Sequence, residues 1–164
     1  MPVAEIQFYD VIVFVHVAAV VLGFGPTFGY PFFQAVVERV SPRSVPAMFH
    51  GMHTASTYLV TPAFLVVIAA GLYLVIFEDR YDFSPLFVQV GLAVVVVLLA
   101  LNFLFFMPHE KRAIELSERD VAAAGQGEVE LSEEYWAVSK KLAQVGTLAG
   151  ILVIVTVFFM VVKP

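Results

Sequence analysis

Four apolar runs separated by short polar stretches set the pattern of the chain. They cover about residues 8–38, 56–78, 86–107 and 142–162. Roughly 20 apolar residues cross the 30 Å or so of bilayer hydrocarbon, so each run is long enough to span a membrane. The second run belongs to a longer helix from about residue 46, with Ser44 as N-cap and Pro46 in its first turn. The polar segment 108–141 reads as a helical extension supported by a Glu115/Arg119 pair at i,i+4. GQG breaks it, and a helix restarts at an N-capping Ser132 with two glutamates in its first turn. The pattern predicts an all-α, integral membrane four-helix bundle forming one domain over residues 1–164.

The first run is not uniformly greasy. Steps of three or four from His16 reach Val20, Gly23, Thr27, Tyr30, Gln34 and Glu38, one helical face holding most of the polar and small side chains. In lipid such a stripe turns inward, since an exposed polar group is costly there. GFGPTFGYP, with Pro26 and Pro31, is expected to kink the helix. Pro62 lies inside the second helix and Asn102 is the one interior polar residue of the third. On the fourth, Gly146 and Gly150 make a small-xxx-small pair suited to close helix contact, within the bundle or with a second copy or membrane partner.

Composition agrees with the pattern. The chain is 60% hydrophobic and 14% charged, against roughly 45–50% and 25% in soluble domains. There is no cysteine, which excludes disulfides, thiolate metal sites and a cysteine nucleophile. A net charge of −5 argues against nucleic acid. MPVAEIQFYD lacks a basic n-region, so the first run is expected to be retained as a span. Arg39, Arg43, Lys111, Arg112, Arg119, Lys140 and Lys141 fall on one side, and Arg80 and Lys163 on the other. The positive-inside rule then puts both termini outside the cytoplasm and segment 108–141 within it, in a multi-pass protein of the plasma (inner) membrane.

The histidines carry the candidate chemistry. His16 is an ionisable group at membrane depth, a functional candidate by default. Its expected neighbours are Tyr73, Gln89, Thr156 and Met160. Three readings follow. His16 fixes helix packing through Tyr73 or Gln89; or it is an axial ligand of a b-type haem, with Met160 opposite and Tyr30 and Tyr73 completing the cofactor-binding set; or it lines a proton, metal or small-solute passage with Thr27, Tyr30 and Gln34. Besides His16 as an iron ligand, the metal-ligand candidates are His50 and His53, adjacent at i,i+3, and His109, with Glu110 adding oxygen. His50 and His53 lie on the order of 20 Å deeper than His16 by helical rise. No phosphate loop, HExxH or Ser/His/Asp spacing is present, so no catalytic residue is singled out. A non-catalytic subunit or scaffold, using the glycine face and segment 108–141, is the alternative from another class.

HVAAVVLGFGPTFGYPFF, TPAFLVVIAAGLYLV, FFMPHEKRAIEL and KLAQVGTLAGILVIVTVFFMVVKP together resemble an uncharacterised bacterial family of four-helix integral membrane proteins. That family is distantly similar to the CopD-type copper-resistance proteins and the HemJ-type protoporphyrinogen oxidases. The latter resemblance implies b-haem binding by the first-helix histidine, here His16, and draws attention to Lys163 in the terminal Lys-Pro. This chain lacks the tryptophan after that histidine and the arginine after the proline that the oxidases carry. Its methionines, scattered apart from Met48 and Met52, are not the clustered soft ligands that Cu(I) prefers.

Overall fold

The computed structural model describes residues 7–78 and 82–163, so Arg80 and Pro164 lie outside the described residues. Helix α1 (Phe8–Val40) descends from the end that carries both termini. It runs on through Pro26 and Pro31 as a single helix. A short 3₁₀ turn, Pro42–Ser44, leads into α2 (Val45–Ala55) and α3 (Thr61–Ile76). These climb back as one uninterrupted rod, as do α4 (Leu86–Leu101) and α5 (Met107–Ala124) on the way down. Helix α6 (Glu133–Val162) returns to the termini end. Four rods are therefore long and apolar enough to span a membrane, and no strand occurs among the described residues. Between 17% and 28% of each apolar window is buried inside the bundle. Large side chains such as Phe14, Phe32, Leu104 and Val161 face outward, which suits lipid and not water.

The two rods that change name partway do so for one reason. Each contains a π turn, Ser56–Val60 and Asn102–Phe106, and each turn ends two residues before a proline, Pro62 and Pro108. A proline ring clashes with the carbonyl four residues back and offers no N–H. Widening the turn moves the preceding N–H one carbonyl further back: Thr61 bonds to Ser56 and Met107 to Asn102. The two turns meet, Asn102 Nδ2 donating to Thr61 Oγ1 (3.0 Å) and Thr61 Oγ1 to the Ser56 carbonyl (2.8 Å).

Packing divides the bundle along its length. Toward the termini, α1 lies against α3 and α4 against α6. Gly23 permits the first approach, since a Cβ there would stand 3.2 Å from Ala63 Cβ. Toward the connections, α2 packs on α5, and a second core forms around Val45, Phe49, Met52, Leu116 and Tyr135. The expected Glu115/Arg119 pair is not made. Glu115 bonds to Arg112 (3.1 Å), while Arg119 reaches Glu134 (2.9 Å), Asp120 and the Ser132 hydroxyl. A tertiary partner with better geometry outcompetes a helix-surface pair worth only about 0.2–0.5 kcal/mol. Ser132 does cap α6, and Arg43 clamps the Gly125 and Gly127 carbonyls at 2.9 and 2.7 Å. The Gly146/Gly150 face is spent inside the bundle: Gly150 is buried 3.4 Å, measured from a built Cβ, from the Phe28 ring, and Gly146 faces Phe106.

Candidate functional site

Three polar sites interrupt the apolar interior. The first is the upper cavity, about 370 Å3, held between the α1/α3 and α4/α6 pairs near the termini. His16, Thr156 and Met160 all line it, as expected, together with Tyr9 and Lys163. The rest of its wall is almost wholly Val, Leu, Ile, Phe and Gly. The His16 Nδ1 lies 3.1 Å from the Val67 carbonyl. A carbonyl only accepts, so Nδ1 carries the proton and the other nitrogen, Nε2, is the basic one. Gly71 is what lets the ring lie flat on α3, because a Cβ there would stand 3.2 Å from His16 Cε1. Gly91 plays the same part for Met160, whose methyl occupies the space a Cβ would need.

Three residues expected near His16 stand elsewhere. Tyr73 stacks on Phe77 and meets the Phe8 ring edge-on, outside the cavity wall. Tyr30 is nearly four helical turns from His16 and lines the lower cavity instead. Gln89 is exposed and donates to the carbonyls of Phe83 and Ser84.

The lower cavity, about 80 Å3, sits where the π turns meet. Thr27, Tyr30 and Gln34 face it from α1, Ser56 and Asn102 from the two turns, and Glu110 from α5. Glu110 is buried and divided between two partners, Ser56 Oγ at 3.1 Å on one oxygen and His53 Nδ1 at 3.1 Å on the other. The Tyr30 hydroxyl is buried in the same cavity with no hydrogen-bond partner among the described residues. Phe24, Leu98 and Val153 line both cavities and form the partition between them.

The third site is a closed network beneath the lower cavity. Glu38 Oε1 accepts from Tyr135 OH (2.6 Å), Ser139 Oγ (2.7 Å) and Gln34 Nε2 (3.0 Å). Gln34 also donates to Ser139 Oγ at 2.8 Å. Further toward the connections, burial works against ionisation of Asp120. Hydrogen bonds from the Ser132 backbone and hydroxyl and from Arg119 nonetheless hold its carboxyl below the ordinary range.

The three-histidine site does not assemble. His50 pairs with Glu118 (2.9 Å) on the surface, His53 with Glu110, and His109 with the Phe105 carbonyl (2.8 Å) while stacking on the Phe105 ring. Among the described residues no group of three or more His, Cys, Asp or Glu side chains is placed to hold a metal ion. Each histidine meets a closer partner, and i,i+3 spacing alone carried no information about the third. Glu38 belongs to the polar face of α1 that the sequence turns inward, whereas nothing local indicated that the fold would bury Glu110.

Four membrane-length rods around internal polar sites define a multi-pass integral membrane protein. Residues 10–164 match the family described as predicted integral membrane protein (DUF2269), and the chain belongs to that family. No curated protein and no solved structure matches it.

Proposed function

We propose that the upper cavity binds a flat, largely apolar cofactor through His16, and that a b-type haem is the group its donors fit. The observation that carries this reading is the His16 Nδ1–Val67 carbonyl bond, which leaves a neutral imidazole with Nε2 as its ligating atom. Metal-ligating histidines almost always tie their other nitrogen to a carbonyl or carboxylate in this way. The cavity volume falls within the 300–1,000 Å3 or so of small-molecule sites, and its apolar wall suits a macrocycle. Met160 supplies a thioether in the same cavity, and Lys163 lines its wall with Nζ 5.7 Å from the Phe87 ring centre. Porphyrin oxidation is not part of the proposal, because the arginine expected to meet substrate carboxylates is missing.

Haem held here supplies one-electron redox chemistry. Val67 fixes the tautomer of His16, Gly71 fixes its plane, and the aliphatic wall excludes water, which together set the potential. The excess of basic residues at the connection end supports an orientation with the termini outside the cytoplasm, in the plasma membrane.

An absorption spectrum tests the reading. Protein expressed with haem precursor supplied and purified in mild detergent is expected to show a Soret band and sharp reduced α and β bands. His16→Ala should abolish them while leaving helicity and melting temperature near those of the parent. A colourless parent protein with intact helices overturns the haem assignment.

A further inference from the structure

The lower cavity is independent of the haem reading and has no role in it. Three observations converge there. A carboxylate, Glu110, is buried inside the bundle yet bonded at 3.1 Å to His53, whose side chain is 22% exposed at the connection end. The cavity above Glu110 is walled by six polar side chains and has about 80 Å3 of free space, whereas one water needs only about 10–15 Å3. The Tyr30 hydroxyl ends in that space without a partner among the described residues, and a buried donor in that state implies water. Beyond it the path stops, because Phe24, Leu98 and Val153 close the wall toward the upper cavity, with Phe64 edge-on to Phe24.

We propose that His53, Glu110 and the lower cavity form a proton half-channel, open at the connection end and closed by the Phe24/Leu98/Val153 partition. His53 takes a proton from the aqueous phase at Nε2 and releases the one on Nδ1 to Glu110 Oε2. The imidazole is left neutral in its other tautomer and the carboxylate becomes a carboxylic acid. Ordered water carries the exchange on to Tyr30. The groups around Glu110 suit this task. From α1 Tyr30 faces it, and Glu38 is one step away through Gln34. From α2 and its π turn come His53 and Ser56. His109, its neighbour in sequence, is turned to the Phe105 carbonyl, and α6 contributes only Leu142, Ala143, Gly146, Ala149 and Val153 to the cavity wall. Among the described residues no lysine or arginine lines the cavity to lock the carboxylate in its charged form. Both π turns border the space, in keeping with the frequency of such turns at functional sites.

Infrared difference spectroscopy of the full chain in lipid nanodiscs, titrated with pH in H2O and D2O, tests this. A protonated-carboxyl stretch is expected that shifts in D2O within minutes and disappears in Glu110→Gln. In His53→Gln, which removes the favourable charge beside the carboxylate, its midpoint should rise by about one pH unit. Ser56→Ala should raise it by less, and it serves with His53→Gln if Glu110→Gln fails to fold. Proteoliposomes of the parent protein should show no proton leak above that of empty vesicles. The half-channel is overturned by the absence of a titrating band, by a midpoint indifferent to both His53 and Ser56, by D2O exchange taking hours, or by a leak.

Discussion

The two ends of the bundle solve the same problem in opposite ways. At the connection end, Glu38, Gln34, Tyr135 and Ser139 satisfy one another at 2.6–3.0 Å, and Arg43, Arg119 and Asp120 tie the loops to the helices. At the termini end, helix pairs stand apart around about 370 Å3 of apolar space with one imidazole bonded to a backbone carbonyl. Lipid tails are as apolar as leucine, so burying leucine drives no association within a bilayer, and close packing and hydrogen bonds hold helices together instead. The end rich in both is a frame. The end poor in both keeps a cavity, and a cavity is where a ligand contributes contacts that the protein lacks.

That contrast can be broken most sharply at Glu38. Glu38→Ala strands the Tyr135, Ser139 and Gln34 donors, and a loss of about 3 kcal/mol is expected in reversible unfolding in mixed micelles. The upper cavity should be unaffected. A loss under about 1 kcal/mol would deny the connection end its role as the frame.

Filling the other end should do the reverse. Gly91→Val displaces the Met160 methyl into the cavity, and since that methyl is the tip of a flexible side chain the stability cost should stay near 1 kcal/mol. Ligand binding, read from the absorption spectrum, is expected to fall at least tenfold. Met160→Leu conserves volume and should cost less than about 1.5 kcal/mol. If the thioether ligates iron, the reduced spectrum changes from six- to five-coordinate; an unchanged spectrum makes Met160 a wall residue only.

The smallest effects belong to the loop ties. Ser132→Ala removes the α6 cap and should cost about 1 kcal/mol. Asp120 has its folded pKa below the unfolded one, so its contribution is present above pH about 4 and is lost as pH falls through the lower, folded value. Asp120→Asn should therefore flatten part of the acid limb of a melting curve taken between neutral pH and pH 3.

The four spans, the polar face of α1, Ser132 as a cap and the similar depth of His16 and Met160 follow from local pattern alone. Helix periodicity and hydropathy are properties of neighbouring residues, and His16 and Met160 lie at similar depths by residue count. The exchange of Arg119 partners, the diversion of Tyr73 to Phe8 and Phe77, and the internal use of Gly146 and Gly150 depend on which helix lies beside which. So do the π turns: Pro62 and Pro108 signal a disturbed helix, but only packing decides whether the rod kinks, breaks or widens. Sequence by itself determined that this chain is a bundle of membrane-crossing helices with a polar interior stripe, because the bilayer penalises every other arrangement of such a pattern. Tertiary structure alone decided that the stripe is divided into two cavities and a closed carboxylate network, because hydrogen bonds between residues 51 to 105 positions apart leave no mark on local sequence.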